Sequence, residues 1–326
     1  MSTSNTLIYA GDSLGPASIN ANASDISNSG FTTILLGLSH IGRGPDAYQP
    51  VAGQQTGDIV FNNPADDGLI MISEGNYVGP ENWPSQLNAL MGNNITRMGL
   101  SVGGGGCLDY ETIWSNFIVN GSISGSSVLY KNFVTLKQQF PFISFIDFDC
   151  EEFSSAYDPE YNWVETIIAF GNMLKEIGFD ITFCPYCETS GWMKALSALY
   201  STSSPTVLWL NLQCYDGGGG NDPVTWAEAV SNTLSGVNGF SLIVSGLWCC
   251  NTAKSYCGST PTAVKNQFSD WQLQAGKMNQ SFRGGFIWNY EDVLANENSN
   301  ACNPQYGGSK TSADYCSAIN KGLAAG

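Results

Sequence analysis

Short runs of apolar and β-branched residues recur along the chain and are separated by longer segments with the composition of helices. Each run ends near Gly, Asp, Asn or Ser, residues that favour turns. The runs predict strands at residues 6–10, 33–38, 96–102, 142–151, 181–186, 207–215, 241–248 and 285–290. Helices are predicted between them at residues 130–139, 163–177, 192–200, 224–234 and 261–278.

This alternation of strands and helices predicts an α/β fold. Eight such units in about 300 residues match a closed (β/α)8 barrel, the TIM barrel, and a doubly wound open sheet is the alternative. No repeat and no proline-rich or charged linker divides the chain, so we expect one domain over residues 1–326. Residues 42–84 exceed a usual connection and contain apolar runs at 58–62 and 69–73. They predict a hairpin after the second strand, either as the wall of a groove or as a plain surface loop.

The fourth predicted strand carries its charges on one side only. Side chains alternate along a strand, so one face collects Ile143, Phe145, Asp147, Asp149 and Glu151. The opposite face is apolar apart from a single serine. A face that begins apolar and becomes acidic toward its carboxyl end is expected inside a barrel that is core at its base and an active site at its top.

The charge balance narrows the classes of partner. The chain has 12 Lys and Arg against 28 Asp and Glu, a net charge of −16, which argues against nucleic acid or an anionic membrane surface. No apolar run is long enough to span a bilayer. The only histidine is His40, which excludes metal sites built from several imidazoles. We therefore expect carboxylates, hydroxyls or thiols to act on a neutral ligand.

Neighbouring carboxylates on one strand face repel one another as they lose solvent. Asp147, Asp149 and Glu151 follow at intervals of two residues, and this crowding raises the pKa of one carboxyl. A carboxyl that stays protonated near neutral pH can serve as the general acid that glycosidic bond cleavage requires. The alternative is an acidic strand end that binds a cation or faces water, although an extended strand is a poor source of the several oxygen ligands that calcium needs.

At this point the sequence resembles glycoside hydrolase family 18, the family of chitinases and endo-β-N-acetylglucosaminidases. Residues 144–151 (SFIDFDCE) are similar to its fourth-strand signature D-G-x-D-x-D-x-E, with Ser144 and Phe145 in place of the leading Asp and Gly. Residues 101–104 (SVGG) look like the third-strand S-x-G-G, and residues 213–216 (QCYD) are similar to the sixth-strand Q-x-Y-N or M-x-Y-D. Residues 284–288 (GGFIW) resemble the eighth-strand segment that ends in a tryptophan, and Tyr9 resembles a first-strand tyrosine.

The resemblance implies a retaining mechanism in which the 2-acetamido group of the substrate is the nucleophile. By position, Glu151 is the general acid and base. Asp149 stabilises the acetamido group of the intermediate, Asp147 tunes Asp149 by like-charge coupling, and Tyr215 positions the acetamido oxygen. The sugar-binding residues implied in the same way are Trp288, Gln213, Asp216 and Tyr9. The resemblance implies no metal and no cofactor.

The implied enzyme is a glycoside hydrolase that cleaves β-1,4 linkages of chitin or chito-oligosaccharides through an oxazolinium intermediate. An endo-β-N-acetylglucosaminidase acting on the chitobiose core of N-glycans would use the same residues. A protein of another class, a noncatalytic chitinase-like lectin or inhibitor, is disfavoured because such proteins usually lack the acid present here as Glu151. We expect a monomer whose partner is a polysaccharide or oligosaccharide containing N-acetylglucosamine.

The cysteines bear on the cellular location. Ten cysteines are many for a reducing cytosol and indicate an extracellular protein with some disulfides. The predicted pairs are Cys302 with Cys316, and Cys249 or Cys250 with Cys257. Glycosylation sequons at residues 22, 94, 120 and 279 are compatible with secretion. The first residues lack the charged and apolar segments of a signal peptide, so none is predicted in this numbering.

Overall fold

Eight parallel strands close into a barrel in the computed structural model, which describes residues 5–42, 51–61, 68–92, 94–155, 157–252, 254, 257–297 and 310–325. Closure follows because the first strand pairs with both the second and the last. In chain order the barrel strands are β1 (Asn5–Ala10), β2 (Thr33–Ile41), β6 (Arg97–Gly103), β9 (Ile143–Asp149), β10 (Asp180–Phe183), β11 (Val207–Gln213), β12 (Ile243–Trp248) and β13 (Gly284–Trp288). The other strands of the described residues are β3 (Ile59–Phe61), β4 (Leu69–Ser73), β5 (Asn76–Tyr77), β7 (Ile118–Val119) and β8 (Ser122–Ile123). The predicted (β/α)8 barrel and its eight strands are confirmed.

Helices cover the outside of the barrel. They are α1 (Ile19–Asn28), α2 (Trp83–Asn88), α3 (Asp109–Phe117), α4 (Val128–Gln139), α5 (Trp163–Ile177), α6 (Thr189–Leu199), α7 (Pro223–Thr233), α8 (Pro261–Gly276), α9 (Tyr290–Asn296) and α10 (Ser312–Leu323). The five predicted helices are confirmed as α4 to α8, with ends that shift by a few residues. No described helix combines the length and the apolar character needed to cross a membrane.

Local sequence signals fix the ends of several helices. The Asn162 side chain accepts a hydrogen bond of 3.3 Å from the Glu165 amide at the start of α5, which satisfies one of the free amides of the first turn. Asp222 caps α7 in the same way through the Val224 amide, at 3.2 Å. Helix α5 ends at Gly178, whose φ of 99° suits glycine.

The strands separate an inner core from an outer core. Inside the barrel, fully buried apolar side chains fill the base, among them Leu7, Phe145, Trp209, Val244 and Phe286. The residues that alternate with them face the helices and join the larger outer cluster. Outward-facing Phe148, for example, stacks on Phe170 of α5 with ring centres 5.0 Å apart. The predicted alternation of the fourth strand is therefore confirmed along most of its length.

The first residue of β9 departs from that alternation. Met98 pairs with Ile143 but the next residue, Gly99, pairs with Phe145, so Ser144 is an extra residue on β9. This irregularity turns Ile143 into the outer cluster rather than the barrel interior. The prediction that Ile143 shares the acidic face is wrong for this reason, whereas Phe145, Asp147 and Asp149 point inward as expected.

The insertion between the second and third barrel strands is an extension of the sheet. Strand β3 pairs antiparallel with the end of β2, through Ser39 and Phe61, and β4 and β5 continue outward. The predicted hairpin is confirmed, although Asn62 at its predicted end lies outside the described residues. Trp83, the first residue of α2, anchors the segment after β5 to the barrel. The centre of its ring lies 5.1 Å from that of Phe61, and its Nε1 donates to the Leu14 carbonyl at 2.9 Å.

Both predicted disulfide pairs are wrong for the described cysteines. Cys316 is a buried thiol whose sulfur lies 3.8 Å from the Thr6 hydroxyl, and its predicted partner Cys302 lies outside the described residues. Cys249 and Cys257 are also thiols, whereas Cys250 is disulfide-bonded. Spacing along the chain failed here because Cys249 directs its sulfur to the Asn289 carbonyl of the neighbouring loop, at 3.5 Å.

Candidate active site

The carboxyl ends of the barrel strands surround a cleft of about 440 Å³. Parallel strands end at one face of the barrel, so residues distant in sequence meet there. Six of the eight residues predicted for the site line this cleft, namely Asp149, Glu151, Gln213, Tyr215, Asp216 and Trp288. The other two, Asp147 and Tyr9, lie beneath it in the barrel interior.

Asp147, Asp149 and Glu151 form an acidic edge that runs from the barrel interior to the cleft. Asp147 is the base of this edge, and both of its carboxylate oxygens accept hydrogen bonds. Its Oδ2 accepts from the hydroxyls of Tyr9 and Ser101, each at 2.9 Å. Its Oδ1 accepts from Thr182 Oγ1 at 2.6 Å and from Asn211 Nδ2 at 2.9 Å. Complete burial raises the pKa of Asp147 above its usual value, although these four hydrogen bonds oppose the shift. Asp147 therefore ties four other strands to β9 and has no face toward the cleft.

Asp149 and Glu151 form a hydrogen-bonded pair of carboxyls above Asp147. Gln213 Nε2 donates to Asp149 Oδ1 and to Glu151 Oε1, each at 3.1 Å. Burial, and then the charges of Glu151 and Asp147, raise the pKa of Asp149 well above its usual value. Burial also raises the pKa of Glu151, against the hydrogen bonds from Gln213 and Asp149. Both shifts favour the protonated over the ionised form of these carboxyls.

Glu151 stands at the rim and is only partly buried. Burial has the largest effect on the pKa of Glu151, and the negative charges of Glu152 and Asp216 raise it further. Asp216 is exposed on the cleft wall with a left-handed φ of 47°. The rim is thus an acidic environment that favours the protonated form of Glu151.

A glycine-rich turn after β6 lies directly against the carboxyl pair. Gly103 has a φ of 113°, and a side chain there would overlap the carbonyl oxygen of Asp149. A Cβ at position 105 would lie 3.1 Å from Glu151 Oε2. Glycine at these positions lets the turn approach Glu151 while leaving the cleft open.

Aromatic side chains form the opposite part of the cleft. Tyr215 is 6% exposed and stacks on Trp248, with ring centres 5.7 Å apart and an interplanar angle of 24°. Burial, and then the neighbouring groups Cys184, Asp149 and Glu151, raise the pKa of Tyr215 well above its usual value. Its hydroxyl therefore keeps its proton and is a hydrogen-bond donor beside the carboxyl pair.

Tyr9 supports the site from below rather than lining it. Its ring is 1% exposed and lies 5.2 Å from the ring of Trp288, while its hydroxyl donates to Asp147. The structure therefore places Tyr9 outside the cleft wall, in contrast to the predicted contact with sugar. It connects the base of the acidic edge to Trp288.

Three large side chains of the cleft wall were absent from the sequence prediction. They are Leu38, Tyr186 and Trp248. Trp248 is the last residue of a predicted strand, where the alternation from inward-facing Val244 places it inside the barrel, so a signal existed. Tyr186 is likewise the last residue of a predicted strand, and alternation from Thr182, which donates to Asp147 inside the barrel, gives it the same signal, although β10 itself ends at Phe183.

Lys254 joins the two loops that carry the cleft tryptophans. Its ammonium donates to the carbonyl oxygens of Trp288 and Cys249, each at 3.3 Å, and Cys249 directly follows Trp248. The ammonium also lies 5.6 Å from the centre of the Trp248 ring and 2.6 Å from Asp292 Oδ2. With 10% of its side chain exposed, Lys254 is placed to fix the spacing of the two tryptophans.

Comparison with known proteins agrees on the fold. No family model matches the chain, and no curated protein sequence matches it. The chain is similar in structure to the catalytic domain of a hyperthermophilic chitinase from Pyrococcus furiosus, with 10% identity over 99% of this chain and 98% of that one and a TM-score of 0.55. It is also similar to the chitinase Chi1 of the Yersinia entomophaga toxin complex, with 13% identity over 99% of this chain and 85% of that one and a TM-score of 0.54.

A third similar structure is the spore cortex-lytic enzyme SleL of Bacillus cereus. The identity is 10% over 98% of this chain and 74% of that one, with a TM-score of 0.50. The fold is a (β/α)8 barrel. At identities this low, the structural similarity establishes the architecture alone. The chemistry must be argued from the residues of the cleft.

Proposed function

We propose that the protein is a retaining glycosidase of the family 18 type, which cleaves β-1,4 linkages between N-acetylglucosamine units with Glu151 as acid and base. The observation that carries the proposal is that Asp149 and Glu151 are bridged by one amide, that of Gln213 at 3.1 Å from each, at the mouth of the barrel. The pair faces the same cleft as Tyr215 and Trp288. Two of the similar structures are chitinases by name, which supports a substrate of this class.

Each cleft residue has a role in this reaction. A sugar ring would lie over Trp288, with the glycosidic oxygen directed to Glu151, which donates its proton as the bond breaks. The acetamido oxygen attacks the anomeric carbon and forms an oxazolinium ion, while the Tyr215 hydroxyl holds that oxygen and Asp149 holds the acetamido N–H. Ionised Glu151 then takes a proton from water as the water oxygen bonds to the anomeric carbon, and the bond from that carbon to the acetamido oxygen breaks, which gives the product with retained configuration.

The experiment that tests the proposal compares the chain and its Glu151→Gln variant on chito-oligosaccharides and on a high-mannose glycopeptide. Glutamine keeps the size of the side chain and cannot transfer a proton, so we expect a loss of roughly 1,000-fold in kcat, within the range of general acid–base catalysis. Cleavage of the glycopeptide alone would replace the chitinase proposal by an endo-β-N-acetylglucosaminidase. Binding of oligosaccharides without cleavage by either protein would identify a lectin and would contradict an enzymatic role.

We further propose that the protein acts outside the cell, where such polymers occur. Both predicted disulfide pairs are wrong, so this proposal is supported by the four glycosylation sequons and by the disulfide-bonded state of Cys250. Mass analysis of the protein secreted by a eukaryotic host would show glycans at these positions if the proposal is correct.

A further inference from the structure

A second cluster of chemically reactive side chains lies behind the glycine-rich turn. His40 is near the end of β2, Cys107 follows the turn, and Asp109 is the first residue of α3. One ligand atom from each lies within 4.8 Å of the other two. No other group of His, Cys, Asp and Glu within the described ranges meets this distance. Two loops at the carboxyl ends of adjacent strands therefore bring together an imidazole, a thiol and a carboxylate.

Contacts within the chain already orient this cluster. His40 Nδ1 lies 2.9 Å from Asp109 Oδ2, and the other carboxylate oxygen accepts the Ile41 amide at 2.5 Å. The Asp109 and Cys107 side chains are 3% and 8% exposed, whereas 20% of the His40 side chain is exposed. Among the described residues, the polar contact of the Cys107 sulfur is a long one of 3.7 Å to the Gly105 carbonyl. The ligand atoms are thus held in place, with an opening to solvent beside the imidazole.

The surroundings of the cluster favour a cation. The negative groups that act on the Cys107 sulfur are Asp109, Asp149, Glu151 and Glu152. Carboxylates from β9 and from the loop after it therefore add to the field of Asp109. A positive ion placed between the three ligand atoms would interact favourably with all of these charges.

We propose that His40, Cys107 and Asp109 bind a divalent transition-metal ion of the zinc class. Sulfur and imidazole ligands select such ions, whereas calcium and magnesium take oxygen ligands. Zinc bonds of about 2.0–2.3 Å would need only small movements of side chains that now lie within 4.8 Å of one another. Three protein ligands leave one tetrahedral position for water. As the ion binds, the Cys107 sulfur forms the metal bond and its proton passes to solvent.

Cobalt(II) chloride provides the direct test, because a cobalt–thiolate bond absorbs in the near ultraviolet. The full chain, reduced and freed of metal by a chelator, is titrated with Co²⁺ and then with Zn²⁺. We expect a charge-transfer band that saturates at one ion per chain and disappears as zinc displaces cobalt. Bound zinc should also protect Cys107 from alkylation, as measured by peptide mass analysis.

Variants assign the ligands. Cys107→Ser should abolish the band, while His40→Asn and Asp109→Asn should each weaken binding by at least about 10-fold, the loss typical even of supporting groups. Cys187→Ser is the control, since Cys187 is a thiol of the barrel's carboxyl end that lies outside the cluster and should leave the band unchanged. A band that survives Cys107→Ser, or no band at all in the unaltered chain, would overturn the proposal. None of these measurements depends on glycosidase activity.

Discussion

The base and the mouth of the acidic edge on β9 satisfy their carboxylates in different ways. At the base, Asp147 is fully buried and accepts hydrogen bonds from four side chains. At the mouth, Glu151 is partly exposed, accepts from Gln213 and pairs with Asp149. A carboxylate whose oxygens are all occupied by the protein can only support the fold. One that retains free capacity toward a cleft can serve a ligand, and the two lie only four residues apart along the chain, Asp147 on β9 and Glu151 just after it.

The largest expected effect tests whether the mouth is the reactive part. Asp149→Asn removes the ionisable partner of Glu151 and should lower kcat by at least about 100-fold, as is typical when electrostatic or acid–base assistance is lost. Initial rates on chito-oligosaccharides and circular dichroism of the same samples measure activity and folding separately. A folded variant within a few-fold of the unaltered rate would remove Asp149 from the mechanism.

A matched pair of substitutions tests whether the base is structural. Asp147→Ala leaves the four donors around it without their common acceptor and should lower the free energy of unfolding by about 3 kcal/mol. Asp149→Ala loses the Gln213 amide and the hydrogen bond with Glu151, but Gln213 and Glu151 keep each other as partners, so its cost should stay below about 1 kcal/mol. Urea unfolding of both variants measures the two costs. Equal losses would show that base and mouth do not differ in the proposed way.

Substitution of Lys254 should have a smaller effect, on oligosaccharide binding at the aromatic side of the cleft. Lys254→Met keeps most of the side-chain volume but removes the ammonium that contacts the loops of Trp248 and Trp288. We expect oligosaccharide binding to weaken by about 10-fold, or 1.4 kcal/mol, through misplaced stacking surfaces. Calorimetry in the Glu151→Gln background measures binding without turnover.

The control for this variant is Lys137→Met. Lys137 also donates to a backbone carbonyl, that of Gly178 at 2.7 Å, and lies 4.3 Å from the centre of the Phe179 ring, but it is on the helical layer away from the cleft. Its substitution should leave binding unchanged. Similar losses in both variants would indicate a general effect of removing a lysine rather than positioning of the tryptophans.

The smallest expected effect is a change in how stability depends on pH. Because burial raises the pKa of Asp149, the folded protein keeps a proton there at pH values where the unfolded chain, with a pKa of about 3.9, has lost it. The free energy of unfolding therefore falls as pH rises through this window. Asp149→Asn lacks this titration, so its stability relative to the unaltered protein should increase with pH. Urea midpoints across the acidic to neutral range would reveal the trend, and a constant difference would contradict it.

The barrel was predictable because its strands repeat a strong local pattern. Residues 207–215, VLWLNLQCY, form a short apolar run with aromatic residues, a pattern typical of a buried strand, and β11 forms there. Helix α1, in contrast, has the sequence INANASDISN, whose Asn and Ser residues favour turns. It is helical because Ile19 and Ile26 are buried against the barrel, a tertiary contact that no local pattern contains.

The residues of the site also divide into those that a local pattern predicts and those that depend on tertiary contacts. The face that carries Asp147, Asp149 and Glu151 follows from alternation along a single strand, and the sequence predicts it. The role of Gln213 as a bridge between two carboxyls depends on the approach of β11 to the end of β9, which is not adjacent to it in the sheet. Such cross-barrel contacts are set by the closure of the barrel and cannot be predicted from spacing within either strand.

Strands β3, β4 and β5 continue the sheet from β2. The insertion therefore covers a strand edge, which a plain surface loop would not do. At the end of β2, β3 covers the strand edge over Ser39–Ile41 by antiparallel pairing. A shortened chain without residues 42–84 would leave that edge bare, and other molecules could pair with it. Engineering that trims this protein to a minimal barrel should therefore yield material that self-associates, even if every residue of the cleft is retained.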